Sequence, residues 1–235
     1  MTLSRGFRVI CAIGCLATIV VLIYYPVVTK TTLVLLACNS VGVIFLLISF
    51  LPRAGLWYII CASSVALMGL LCFVDRGPID EAALDRLYLE ELRRSNGIAY
   101  IWGGERTTGI DCSGLPRRAR MCSLFSYSVR HARPRALAEA LLLAWYDASA
   151  REMLAGYGGR MEVHESISSL QSICGHLTPG SLYVTKGGVH VMVGLSPEDI
   201  IQADPHRHRV YIDHLPYDNS WYQTHVVRVS WAKLP

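Results

Sequence analysis

Cys112, His190 and Gln202 are the side chains whose types and spacing suit nucleophilic attack on a carbonyl. Cys112 stands between a glycine-rich stretch, Gly103-Gly104 to Gly109, and a segment with a helical pattern. A thiol at a helix N-terminus meets unpaired N–H groups and the positive end of the helix dipole, and both favour the thiolate. The same N–H groups can receive the oxyanion formed on an attacked carbonyl. Such a nucleophile needs a base, and His190, on a predicted strand, is the candidate. If residues 189–195 and 199–204 form a hairpin around Ser196-Pro197, residues whose numbers sum to 392 face each other, so His190 faces Gln202. Directly opposed antiparallel residues hold their Cβ atoms about 4.5–5.5 Å apart. The Gln202 amide oxygen would then accept the imidazole Nδ1–H and orient the ring; a Cys-His-amide set is known chemistry. A lone cysteine at a helix start, or a lone strand histidine, is ordinarily structural. It is their combination with the glycine loop and the opposed amide that points to catalysis.

A mixed set of elements must hold these residues. Residues 78–94 read as an amphipathic helix with Leu84, Leu87, Leu89 and Leu92 apolar, Pro78 near its start and Asn96-Gly97 as its stop. Residues 112–131 and 135–154 read as two further helices, with Pro116 in the tolerant first turn of the former. Tyr157-Gly158-Gly159 breaks the pattern. From Ser181 onward, short runs that alternate apolar and polar residues predict half-buried antiparallel strands at 181–185, 189–195, 199–204, 208–212 and 223–230. Helices followed by strands indicate an α+β domain.

The charge pattern separates this domain from what precedes it. The chain of 235 residues carries a formal charge of +4. Residues 1–74 hold only Arg5, Arg8, Lys30 and Arg53 and no acid, so the remainder sums to zero. That balance disfavours nucleic-acid binding, which needs a concentrated positive excess. Three apolar runs, 9–28, 31–51 and 55–74, are each long enough as helix to cross about 30 Å of hydrocarbon. They predict a membrane anchor over 1–76 with three transmembrane helices, and a domain over 77–235. A buried helical core and a cleaved signal peptide are the alternatives. The first run lacks a small-x-small cleavage site, and Ala12-Ile13-Gly14-Cys15 follows Arg8 too closely to be a lipoprotein box. Asn39 and Ser40 are expected to hydrogen-bond between helices. Arg5, Arg8 and Arg53 outnumber Lys30 and favour a cytoplasmic N-terminus, which puts residues 75–235 outside the cytoplasm.

In order, Tyr100-x-Trp102-Gly103-Gly104, Gly109-x-Asp111-Cys112-Ser113-Gly114-Leu115, Leu177-x-Pro179-Gly180-Ser181-Leu182 and Val189-His190-Val191 resemble the NlpC-type cysteine peptidases. These are papain-like enzymes that cut bacterial cell-wall peptides. The resemblance covers about residues 97–230 and leaves out the apolar leader. It implies a papain-like fold with the nucleophile at a helix N-terminus and an antiparallel sheet carrying the histidine. It implies Cys112 as nucleophile, His190 as base and Gln202 as the third polar residue, where family members more often have His. It further implies that Tyr100 lines the site and that Asp111 and Ser113 hold the free amino end of a peptidoglycan stem peptide. The family's usual reaction is hydrolysis between γ-D-glutamate and a diamino acid such as diaminopimelate, without a cofactor. The implied setting is the bacterial inner membrane with the catalytic domain on the periplasmic or exterior side.

Other features carry less. The 78 residues from Cys112 to His190 include a basic stretch, with seven Arg and one acid between Arg106 and Arg135. It reads as a solvated helix face or as a surface resting on anionic lipid or wall polymer. His206-x-His208 has no evident Cys or carboxylate partner for a metal. Tyr217, Trp221 and Tyr222 line a groove or pack in the core. In an oxidising compartment Cys122 and Cys174 would pair and leave Cys112 free. Two other functions fit the same residues: thiol acyl transfer or amide hydrolysis on lipid or protein substrates, and non-catalytic binding by a peptidase-like domain.

Overall fold

The computed structural model describes residues 5–48, 78–216 and 219–234, with isolated positions 60, 63, 64 and 66. Helices α1 (Arg5–Tyr24) and α2 (Lys30–Ile48) pack together as a hairpin. Thr29 caps α2: its Oγ1 accepts from Thr32 N (3.2 Å) while Thr32 Oγ1 accepts from Thr29 N (2.8 Å). Among the described residues one helix, Gly6–Tyr24, is long and apolar enough to cross a membrane, not three. The apolar part described in α2, Lys30–Leu46, falls short of that length. The expected third span, 55–74, and Arg53 lie outside the described residues save for the isolated positions. Among the described residues Asn39 and Ser40 do not bridge helices. They bond their own helix, Asn39 Nδ2 to Leu35 O and Ser40 Oγ to Leu36 O at 2.8 Å each, because the carbonyl four residues back lies within reach.

Helix α3 (Glu81–Arg94) starts at Asp80, whose side chain accepts from Ala83 N, and buries Leu84, Leu87, Tyr88 and Leu92. A two-stranded hairpin, β1 (Glu105–Arg106) and β2 (Gly109–Ile110), precedes α4 (Gly114–His131). The expected helix 135–154 is two: α5 (Pro134–Trp145) and α6 (Ala150–Leu154). Ser149 opens α6 with a capping box to Glu152, which fixes non-helical backbone at the break.

The strands form one antiparallel sheet in the order β3-β8-β4-β5-β6-β7. These are β3 (Met161–Ile167), β4 (Leu182–Thr185), β5 (Val191–Gly194), β6 (Asp199–Asp204), β7 (Arg209–His214) and β8 (Val226–Trp231). The fold is thus mixed α and β around an antiparallel sheet, as expected, although β3 and the β1–β2 hairpin carried no recognised sequence signal. The central strands are not half-buried. Every residue of β4 and β5 is buried, because both faces of the sheet are covered. Leu182, Val184, Val191 and Val193 join the cluster containing α3 and α4, while Tyr183 and Met192, with alternate Cβ directions, join a second cluster with Leu170 and Tyr222.

This two-sided packing separates Cys122 and Cys174. Both are free thiols, so the expected disulfide is absent. Cys122 lies on α4 beside Met121 and Ala144, whereas Cys174 packs on the second cluster across the sheet. It also reshapes the basic stretch. Arg117 is buried between Glu105 (2.6 Å) and Asp147, and Arg120 between Glu81 (3.7 Å) and Asp85 (3.5 Å), so two of the seven arginines point inward.

The domain meets the helical hairpin at the loop that ends α1. Arg106 Nη1 donates to Ile23 O (2.8 Å), Thr108 Oγ1 to Tyr24 O (3.0 Å) and Glu105 N to Pro26 O (3.0 Å), while Val27 forms an antiparallel bridge with Gly104. The last carbonyls of a helix have no partner within it, and these donors fill that role for α1.

Candidate active site

Cys112 occupies the turn between β2 and α4. Asp111 builds this turn. Its Oδ1 accepts from Gly114 N (2.6 Å) and Ser113 Oγ (3.0 Å), and its Oδ2 accepts from Gly103 N (2.8 Å). An ionised carboxylate has about four acceptor sites, and three are filled within this turn. The glycine loop is needed for close approach. A Cβ on Gly114 would lie 2.3 Å from Gly104 O, and one on Gly104 would lie 2.5 Å from Gly109 O. The loop therefore seats directly against the first turn of α4.

Cys112 is 7% exposed and borders a cleft of about 330 Å³ walled by Trp102, Gly103, Ser149, Glu152 and Val189. Its Sγ lies 4.0 Å from Val189 O, the residue before His190. The sequence led us to expect a thiolate favoured by the helix start. The opposite holds: burial first, then the Asp111 charge, pushes the thiol up to about 12. N–H groups of Val191, Ser113 and Cys112 act in the stabilising direction but are outweighed by desolvation.

His190 leads into β5, 1% exposed, with its N–H bonded to Thr185 Oγ1 (3.0 Å). One face of its ring stacks on Trp221, centroids 4.3 Å apart and planes 19° apart. Its Nε2 lies 2.7 Å from Gln202 Oε1. The expected pair is therefore made, with two corrections. The bonded nitrogen is Nε2, not Nδ1. The β5–β6 register pairs Met192, not His190, with Gln202. His190 sits two residues further along the same face, and the long side chains span that diagonal.

Surrounding groups set the direction of every proton in this array. Tyr211 Oη donates to Asp204 Oδ2 (2.9 Å) and Tyr222 Oη to Asp213 Oδ2 (2.6 Å). Each phenol oxygen then accepts from Gln202 Nε2, at 2.9 Å and 2.6 Å. The amide must therefore turn Oε1 toward His190, which donates Nε2–H and leaves the Nδ1 lone pair as its basic site. Burial lowers the imidazole to about 4, against the opposing effects of the Gln202 bond and the Asp204 charge. The resting pair is thus a neutral thiol and a neutral imidazole.

Tyr100 borders the same region. It bridges Ile110 in parallel fashion and donates its N–H to His208 O (2.9 Å). Its phenol is pushed above the ordinary range by burial first, and then by the charges of Cys112, Asp111 and Asp204. The structure thus gathers Asp111, Cys112 and Ser113 in one turn, and His190 with Gln202 in another cluster that adjoins it at Val189. Sequence reading missed the roles of Trp221, Tyr211, Tyr222, Asp204 and Asp213. Continuing the strand pairing one strand further would have found Tyr211, which opposes Gln202 across β6–β7. Tyr217 lies outside the described residues. Among those residues no group of three or more His, Cys, Asp or Glu is placed to hold a metal, His206 and His208 included.

No family model matches the sequence, and no curated protein does. Among solved structures, the peptidoglycan hydrolase RipB from Mycobacterium tuberculosis is similar with a TM-score of 0.37 and 19% identity, over 69% of this chain and 77% of that one.

Proposed function

We propose that residues 77–235 are a papain-like, NlpC-type cysteine endopeptidase domain that cleaves peptidoglycan stem peptides. The bond is that between γ-D-glutamate and the diamino acid. Residues 1–76 anchor it in a membrane, with the catalytic domain on the periplasmic or exterior side. The observation that carries the reading is the 2.7 Å bond from His190 Nε2 to Gln202 Oε1, whose polarity leaves a basic Nδ1. The motif order around Cys112 supplies the substrate class.

The mechanism starts from the neutral pair. As Cys112 Sγ attacks the peptide carbonyl, its proton passes to His190 Nδ1, so the thiolate never has to exist free in its buried site. The N–H groups of Cys112 and Ser113, which act on the thiol in the direction that favours its anion, receive the forming oxyanion. The imidazolium then protonates the leaving amine of the diamino acid, the C–N bond breaks, and an acyl thioester remains on Cys112. His190 next takes a proton from water, whose hydroxyl attacks the thioester and frees the γ-glutamyl carboxylate and the thiol. Gln202 keeps the ring in one tautomer throughout. Asp111 and Ser113 receive the free amino end of the stem peptide. Mass spectrometry of products from defined stem peptides tests this reading. Scission after γ-D-glutamate supports it, and intact peptide beside a folded enzyme would refute it.

A second reading is transfer of acyl groups to or from lipid. It is favoured by one observation: β1, which walls the cleft, is tied to the carbonyls ending α1 and so lies beside the helix proposed to cross the membrane. The same mass analysis with phospholipid present would reveal an acylated lipid or a lysolipid.

A further inference from the structure

Helices α4 and α5 expose large apolar side chains toward the anchor side of the domain. A cavity of about 350 Å³ is lined on one side by Ile23, Val28 and Leu33 of the α1–α2 hairpin and on the other by Arg118, Met121, Cys122 and Ala144. Helical spacing continues that face outward. Phe125 lies one turn beyond Met121 and Cys122, Val129 one turn beyond Phe125, and Leu141 one turn before Ala144. All three are exposed, Val129 at 69% and Leu141 at 63%. A soluble domain has no reason to display such a contiguous stripe beside an apolar helix pair.

Where α1 ends and α2 begins, aromatic rings collect. Tyr24 and Tyr25 from the hairpin and Trp145 and Tyr146 from the end of α5 are all exposed. Lys30 Nζ lies 6.0 Å and 5.9 Å from the Trp145 and Tyr146 ring centres. Exposed Trp, Tyr and Lys at the end of a spanning helix mark headgroup depth. Along α4 and the first turn of α5 the charge is one-sided, with Glu91 of α3 near Cys122 and Glu139 on α5 as the neighbouring acids. Residues 112–138 contain no Asp or Glu; Arg117 and Arg120 turn inward and Arg118 reaches Ser95 Oγ (3.4 Å), while Arg130 and Arg135 are exposed on the two helices that carry the apolar face.

We infer that the α4–α5 hairpin lies in the headgroup and upper acyl region of an anionic phospholipid bilayer, the one that α1 crosses. The apolar stripe enters the acyl boundary and the flanking guanidinium groups take lipid phosphates. The hairpin and the aromatic belt then hold the catalytic cleft at a fixed height over the bilayer. This rests on the anchor reading above, whose own failure is separately visible.

The test uses the full chain reconstituted in liposomes whose acyl chains carry bromine, which quenches nearby indole. Tryptophan emission is compared among wild type, Trp145→Phe, and Phe125→Trp in the Trp145→Phe background; differences remove the contribution of the other four tryptophans. The inference expects Trp145→Phe to lose a quenched component and Phe125→Trp to restore one. It also expects the Phe125→Trp component to be quenched more strongly as phosphatidylglycerol rises. Thermal melts confirm that each variant is folded. If the chain floats with liposomes but both indoles escape quenching, the inference is overturned and the anchor reading stands. It is equally overturned if the Phe125→Trp emission responds to protein concentration instead of bromine, since a second copy then covers the face. A chain that neither floats nor resists carbonate extraction overturns the anchor reading itself.

Discussion

His190 Nε2 and Gln202 Oε1 are 2.7 Å apart although the two residues are not directly opposed in the sheet, where Met192 faces Gln202. The bond spans a diagonal and is held there from behind by two tyrosines. A neutral amide stabilises imidazolium less than a carboxylate would, so its contribution here is orientation and choice of tautomer. Gln202→Glu should convert that role. A carboxylate beside the ring favours the charged imidazole, so the acidic limb of the kcat/KM profile should move upward by about 1–3 pH units. Gln202→Leu should instead lower kcat by roughly 10²-fold and move the limb downward, since the bond that opposes the effect of burial on His190 is gone. Rates from pH 4 to 9 on one defined stem peptide decide between these outcomes.

Tyr211 and Tyr222 should act through Gln202 alone. Removing one phenol deletes one bond to the amide nitrogen, about 1 kcal/mol of orientation. In Tyr211→Phe/Tyr222→Phe nothing distinguishes the two ends of the amide, and it is free to turn its nitrogen to His190. The double variant should therefore lose kcat far more than the product of the single losses, with KM unchanged. Additive losses, or a loss in KM, would show that the tyrosines only pack.

The neutral resting pair has a kinetic signature. With Cys112 pushed up to about 12, its alkylation by iodoacetamide should rise about tenfold per pH unit from pH 7 to beyond pH 10. A preformed thiolate–imidazolium pair would give a plateau across neutral pH. Peptide mapping separates Cys112 from the other thiols.

Stability should depend on His190 with a definite sign. Its folded value, about 4, lies below its ordinary 6.5, so below pH 6.5 the unfolded chain binds a proton that the folded chain refuses. Stability is full above pH 6.5 and falls as pH drops toward 4, by roughly 3 kcal/mol at most. Melting temperatures of wild type and His190→Gln from pH 7 to 4 should diverge, with the variant losing less.

The tethers between the domain and the end of α1 should support the cleft. Arg106→Ala/Thr108→Val removes both side-chain donors to Ile23 and Tyr24 while Arg106 and Thr108 touch no proposed substrate group. The domain should remain folded by circular dichroism. Chymotrypsin should cut after Tyr24 faster than in wild type, since the Ile23 and Tyr24 carbonyls lose their two donors.

Much of the site could be read from residue order because its signals are local. The glycines at 103, 104, 109 and 114 announce a loop that must approach a helix start closely, and β6 was bounded correctly at Asp199–Asp204 by its turn and alternation. What escaped depended on distant partners. The thiol's upward shift follows from how deeply the fold buries Cys112, which no neighbouring residue encodes. The β5–β6 register was displaced because the loop is the three residues 196–198, closed by Leu195 N donating to Asp199 O, so the hairpin turns around Pro197 and the pairs shift by two. Strand β3 escaped because five of its seven residues are not buried, leaving Met161 and Ile167 as widely spaced apolar ends. Arg117 and Arg120 looked like surface charge because their carboxylate partners lie in other elements.

The central claim is a covalent one, and intact-protein mass spectrometry tests it most directly. Rapidly quenched wild-type chain, mixed with a defined stem peptide, should carry the mass of the N-terminal acyl fragment as a thioester mapped to Cys112. Cys112→Ala, folded by thermal melt, should carry no adduct and release no product. Peptide cleavage that persists in Cys112→Ala would contradict the account.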